Sequence, residues 1–183
     1  GEGVKPFTNV RAEDVENGRI APVFAPKEQV LAYLHDMESQ GRVHTLWPEH
    51  CLVGSWGWAC PNQLVQAVNT WDNRHHGQRP LHFYQKGEYP DAEMFSIFSY
   101  VNEATPNTHG KLVLDQLAQY DEVVVCGFAK DYCVAESVKD LRNDSRFEGK
   151  LRFFEAGMAA IDPQSANLSI YEECLNNFGA KCI

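Results

Sequence analysis

Glu122-Val123-Val124-Val125-Cys126-Gly127-Phe128-Ala129-Lys130-Asp131-Tyr132-Cys133-Val134 is the stretch on which the fold turns. Val123 to Cys126 form a near-continuous apolar run stopped by Gly127, the pattern of a strand buried on both faces of a parallel sheet. Val134, Val138 and Leu141 then recur at helical spacing. Downstream, Leu151-Arg152-Phe153-Phe154 reads as the next strand. Asp162-Pro163 is expected to cap a last helix carrying Leu168, Tyr171, Leu175 and Phe178. Gly179 closes that helix before a short strand from Ala180 to Ile183. Upstream, Leu114, Leu117 and Ala118 mark a helix over 111–119, and Leu81 to Lys86 is a strand candidate ending at Gly87. Strands alternating with helices imply parallel pairing and a layered α/β sheet.

The part before residue 80 has a different character. Residues 1–26 are punctuated by Pro6, Gly18, Pro22 and Pro26 and read as a loop-rich lead-in. Pro26 suits the first position of a helix carrying Val30, Leu31, Leu34 and Met37, which Gly41 stops. A short apolar stretch, Val43 to Trp47, runs into Pro48. Pro61 opens a helix with Leu64, Val65, Val68 and Trp71 on one face, and Asn73 to Pro80 is a polar break.

Composition bounds the function. The 183 residues are 44% hydrophobic and 22% charged, enough apolar mass for a real core. Lys+Arg 16 against Asp+Glu 25 gives a formal charge of -9, which disfavours a nucleic-acid partner. No apolar run approaches the ~18 residues of a membrane span, and the first residues show no signal-peptide pattern. Six cysteines without a C-x-x-C pair fit a reduced, cytoplasmic chain better than a disulfide scaffold. Cys126 and Cys174 fall on apolar positions and read as core.

Ligands of open parallel sheets gather beyond the carboxyl ends of the strands. Two such ends are chemically loaded: Lys86, and the turn from Gly127 to Cys133. Cys133 falls at or near the first turn of a helix, where backbone N–H groups and partial positive charge stabilise a thiolate. The same amides can meet a developing oxyanion. By position alone Cys133 reads first as a small buried hydrophobe and Lys86 as a snorkelling strand-end lysine. His50, in Trp47-Pro48-Glu49-His50-Cys51, is a single histidine, a residue type more often a packing group than a metal ligand.

Three segments together resemble the nicotinamidase branch of the isochorismatase-like cysteine hydrolases. Trp47 to Gly57 is similar to its W-P-x-H-C-x-x-G-[ST]-x-G segment. Lys86-Gly87 followed by Phe95-Ser96-Ile97-Phe98 resembles K-G … S-x-F. Cys126 to Val134 is close to C-G-x-A-x-D-[YH]-C-V. The resemblance implies a doubly wound, mainly parallel six-stranded sheet flanked by helices. Residues 1–183 would then be the C-terminal portion of one hydrolase domain, with 1–42 a loop-rich insertion and helix ahead of the W-P-x-H-C motif. It implies a cysteine-nucleophile amidohydrolase that cleaves the C–N bond of a small amide through a thioester. Cys133 matches the nucleophile and Lys86 the catalytic lysine, and Ala129 and Cys133 would supply oxyanion amides beside a cis Phe128–Ala129 peptide. Trp47, Tyr132 and Phe128 fall where substrate is met. His50 matches one ligand of a divalent metal: zinc, iron or manganese. A homo-oligomer is expected.

The departures are as informative. The family's first strand ends in a catalytic aspartate and its second in a D-x-H metal motif, and neither pattern occurs in this sequence. The first strands, the general base and two metal ligands are therefore expected outside it, with additional chain beside the Val123–Cys126 strand. Two rivals remain. An isochorismatase-type vinyl-ether hydrolase would lack the nucleophilic cysteine. A non-catalytic homologue would use the fold as a binding or oligomerisation module.

Overall fold

The structure is a computed structural model that describes residues 4–89, 92–101 and 108–183. The chain forms two compact units, Gly1–Gln85 and Lys86–Ile183.

In the first unit, β1 (Thr8–Val10) pairs antiparallel with β2 (His44–Leu46), Thr8 opposite Leu46 and Val10 opposite His44. The described part of the lead-in is thus less loop-like than expected, since it holds β1 and α1 (Ala12–Glu16). The Asp14 carboxylate accepts the Arg11 N–H at 2.8 Å and closes the first turn of α1. Helix α2 (Lys27–Ser39) follows the reading, with Leu34 and Met37 buried one turn apart. Val10, Ala12, Val15 and Leu34 form the core of this unit, with Val30, Leu31 and Leu46 packed around them. Helix α3 (Asn62–His75) also forms where Pro61 announced it, but it contains no buried residue.

The second unit is a β-α-β-α-β run. β3 (Val123–Phe128), β4 (Leu151–Ala159) and β5 (Lys181–Cys182) make a parallel sheet in the order β3-β4-β5. Helix α4 (Thr108–Leu117) precedes it, α5 (Ala135–Asn143) joins β3 to β4, and α6 (Ser169–Asn177) leads into β5. Both crossovers run the same way along the sheet, and right-handed connections then put both helices on one face. Arg142 of α5 pairs with Glu173 of α6, and Tyr171 of α6 meets Phe153 of β4 edge-on at 5.0 Å. Phe147, Leu151, Phe153, Val138 and Cys174 are fully buried there.

The architecture is α/β, as read, and the described residues hold a three-stranded parallel sheet and a two-stranded antiparallel one. Leu81–Lys86 is not a strand: a strand exists only where a ladder partner meets it, and these residues have none in either sheet. β3 is not buried on both faces. Val123 is covered while Val124 and Phe128 are 55% and 73% exposed, because the helices joined to the sheet lie on the other side. Cys126 shares that open face and is exposed, against the expectation of a core thiol, whereas Cys174 is buried; all six cysteines are free. The last helix starts at Ser169, since Asp162 instead accepts the Gln164 N–H at 2.9 Å in a turn. Among the described residues no helix is long and apolar enough to cross a membrane.

Candidate active site

The turn after β3 is built by three backbone features. Gly127 has φ +126°, a conformation that side chains with a Cβ rarely adopt. The next peptide bond, Phe128–Ala129, is cis. Lys130–Val134 then form a single π-helical turn, with the Val134 N–H donating to the Ala129 carbonyl at 3.1 Å, before α5 takes over. Cys133, expected in the first turn of an α-helix, lies in this wider π turn. Such turns recur at functional sites because they re-aim one side chain within a helix.

Side chains lock the turn from the β4 side. The ladder skips there: Val125 faces Phe153 but Gly127 faces Met158, so residues 154–157 bulge opposite Cys126. Gly157 makes room for the bulge; a Cβ on it would stand 3.1 Å from the Cys126 Cβ. Glu155 in the bulge holds the Lys130 ammonium at 2.6 Å. The same ammonium stands 5.0 Å from the Tyr171 ring centroid, and the Tyr171 hydroxyl donates to the Lys130 carbonyl at 2.7 Å. Burial, and then the negative charges of Glu155 and Asp131, push the Tyr171 hydroxyl far above its ordinary range, so it stays a donor.

Asp131 is the residue that the sequence reading missed. Its side chain is fully buried, and its two oxygens accept the N–H groups of Ile161 and Asp162, each at 2.9 Å. Its own carbonyl accepts from the Asn167 side-chain amide at 3.0 Å. One carboxylate thus pins the loop after β4 onto the π turn. The available signal was an acidic residue inside a turn flanked by apolar runs, two positions before Cys133.

Cys133 is half-buried, and its carbonyl accepts the Ser137 hydroxyl at 2.7 Å. Lys86 is half-buried too, in extended chain rather than at a strand end. Its ammonium donates to the Met94 carbonyl at 2.5 Å and the Phe95 carbonyl at 3.1 Å. Cys133, Lys86, Ala129, Phe128 and Tyr132 all belong to the second unit. Phe128 is exposed and Tyr132 is half-buried.

Trp47 and His50 belong to the first unit. Trp47 stands edge-on to Phe7 at 5.7 Å and to His50 at 6.2 Å. The exposed His50 ring has Nδ1 at 2.7 Å from the Pro48 carbonyl. A carbonyl only accepts, so Nδ1 is the donor and Nε2 is the nitrogen left to face a ligand. A ring nitrogen held by a backbone carbonyl while the other stays open is the arrangement of a metal-ligating histidine. One ligand is not a site, however. Among the described residues no three histidines, cysteines or carboxylates come together in a way that could hold a metal ion.

No protein-family profile matches the chain, and no curated protein matches its sequence. Solved structures do. The chain is similar to the yeast nicotinamidase, at 20% identity and TM-score 0.51 over 78% of this chain and 60% of that one. It is similar to the same enzyme bound to the inhibitor nicotinaldehyde, at 19% identity and TM-score 0.54 over the same shares. A Bacillus subtilis nicotinamidase/pyrazinamidase matches at 19% identity and TM-score 0.49, over 75% of this chain and 63% of that one. The chain therefore has the nicotinamidase fold, over about six-tenths of the length of these structures.

Proposed function

We propose that this chain carries the nucleophile side of a cysteine amidohydrolase, a member of the nicotinamidase branch of the isochorismatase-like hydrolases, acting on a small amide. One observation supports the reading above the rest. On a chain with the nicotinamidase fold, the C-G-x-A-x-D-Y-C-V segment forms the turn at the carboxyl end of β3, with Cys133 in a π turn directly after the cis Phe128–Ala129 bond. Parallel sheets meet their ligands at such ends.

In the proposed reaction the Cys133 thiol gives up its proton and the sulfur attacks the amide carbonyl. The backbone N–H groups of Ala129 and Cys133 receive the charge that develops on oxygen. The C–N bond breaks as nitrogen takes a proton, ammonia leaves, and water hydrolyses the thioester to the acid and the free thiol. Lys86 supplies positive charge near the sulfur and orients the proton transfer. Phe128 and Tyr132 contact the substrate. The thiol's proton acceptor is the aspartate that the family resemblance calls for and that no segment of this sequence matches.

The test is ammonia release from nicotinamide and from benzamide, with acid quenching to trap a Cys133 acyl adduct by mass spectrometry. Turnover that disappears in Cys133→Ala, with an adduct of the acyl mass on Cys133, is the expected result. Turnover that survives Cys133→Ala refutes the mechanism. A Cys133 that alkylates no faster than a free thiol and never acylates favours the binding-module reading instead.

A further inference from the structure

Residues 92–101 have no helix or strand of their own, yet Ala92, Met94, Ser96, Phe98 and Val101 are buried. A segment without a ladder keeps its place through side-chain bonds, and here these bonds lead to α5. Ser96 and Ser99 both donate to the same Asp140 oxygen, each at 2.6 Å. The Ser96 oxygen also accepts the Phe98 N–H at 2.9 Å. One turn earlier on α5, Ser137 accepts the Ile97 N–H at 3.2 Å while donating to the Cys133 carbonyl at 2.7 Å. The other end of the segment holds Lys86, through the carbonyls of Met94 and Phe95. The Gly87 N–H adds a contact to the Met94 sulfur at 3.4 Å.

Cys133 and Lys86 thus hang from one helix, the cysteine directly at its root and the lysine through a strap fastened by Asp140. We propose that Asp140 is a positioning residue: by gripping the Ser96 and Ser99 hydroxyls it fixes where the Lys86 ammonium stands relative to the Cys133 sulfur. The inference rests on the reading above that these two residues work as a pair. Asp140 does not touch the reacting atoms. A carboxylate accepting two short hydroxyl bonds at one oxygen is a stiffer fastening than neutral groups give. A strap that shifts by about 1 Å misaligns the lysine enough to cost on the order of tenfold or more in rate.

The experiment is a cycle read by two signals, the rate of Cys133 alkylation by iodoacetamide across pH 5 to 9 and the kcat/KM for amide hydrolysis. Lys86→Met sets the reference, since it should slow alkylation at pH 7. Asp140→Ala should reproduce about tenfold of that slowing with kcat falling more than KM rises, and it should add nothing in the Lys86→Met background. Asp140→Asn, whose carboxamide oxygen can still accept both hydroxyls, should recover most of the rate. Ser99→Ala removes one exposed donor and gives a milder loss that does not threaten folding. If Lys86→Met leaves the alkylation profile unchanged, the pairing of Lys86 with Cys133 fails and the strap has no function. If Lys86→Met slows alkylation while Asp140→Ala and Ser99→Ala do not, the strap alone is refuted. Equal slowing by Asp140→Ala with and without Lys86 refutes it as well, by showing a merely structural effect.

Discussion

Replacing Asp131 tests the construction of the site without needing a substrate. Asp131→Ala removes a fully buried carboxylate that accepts two backbone N–H groups at 2.9 Å. Hydrogen bonds to a charged acceptor contribute about 1.5–3 kcal/mol each, which sets an upper range near 3–6 kcal/mol. Ile161 and Asp162 are themselves exposed, so water can reach their amides once the loop lifts away. The expected loss is therefore about 1.5–3 kcal/mol, half of that range. Asp131→Asn keeps one acceptor and turns an amide donor toward the other N–H, so about half of the loss should remain. Urea unfolding monitored by circular dichroism measures both values. Hydrogen exchange gives the local readout: the amides of 161 and 162 should lose protection while those of β3 keep theirs. A change below about 0.5 kcal/mol with unaltered exchange at 161 and 162 would refute the argument, because surface substitutions outside such networks stay within that range.

Three further outcomes are expected. Gly127→Ala forces a Cβ onto a φ of +126°, and should cost about 1–3 kcal/mol by thermal unfolding although its nearest new neighbour would be 3.8 Å away. Phe153→Ala empties a fully buried position against Tyr171 and should cost about 3–5 kcal/mol in urea. Alkaline stability should fall because burial pushes the Cys174 thiol from 9.0 up to about 11. The unfolded chain releases that proton from pH 9 while the folded chain holds it. Stability is thus complete below pH 9 and declines as pH rises to about 11, by roughly 2–3 kcal/mol in all. Denaturant titrations at pH 8 and 10.5 should show the drop, and Cys174→Ala should flatten its onset.

Where the physics is local, the sequence was readable. Val123 to Cys126, Gly179 and the short strand after it declare themselves within a few residues and appear at their expected places, while the last helix keeps Tyr171 and Leu175 but begins later than Asp162-Pro163 suggested. Leu81–Lys86 misleads because its pattern suits a strand while strand formation depends on a partner elsewhere in the chain. β4 reads as ending near Phe154, since the bulged residues 154–157 break its alternation, yet the ladder resumes at Met158. The π turn is invisible to periodicity: one turn is too short to separate bonding to the fifth residue from bonding to the fourth. Asp131 was hidden for a different reason. Its partners lie 30 and 31 positions downstream, and no window along the chain brings them together. The site residues divided similarly. Cys133 and Lys86 stand out as candidates from the chain order of three motifs, while Ser99 and Asp140, which bond to one another, are ordinary polar residues until folded.

The unpaired edge of β3 is where a second copy of this chain would find backbone groups to pair with in solution. Among the described residues β3 has a ladder partner on one side only, and its uncovered face carries exposed Val124 and Phe128. Such an edge is a template for a strand from another copy. The formal charge of -9 opposes that meeting by mutual repulsion. Repulsion of this kind reaches only about 8 Å at physiological ionic strength, so added salt removes the barrier and leaves the sticky edge unguarded. Colloidal behaviour and the candidate site thus share a strand: the one that ends in the turn carrying Cys133 is also the one with an edge open to a neighbour.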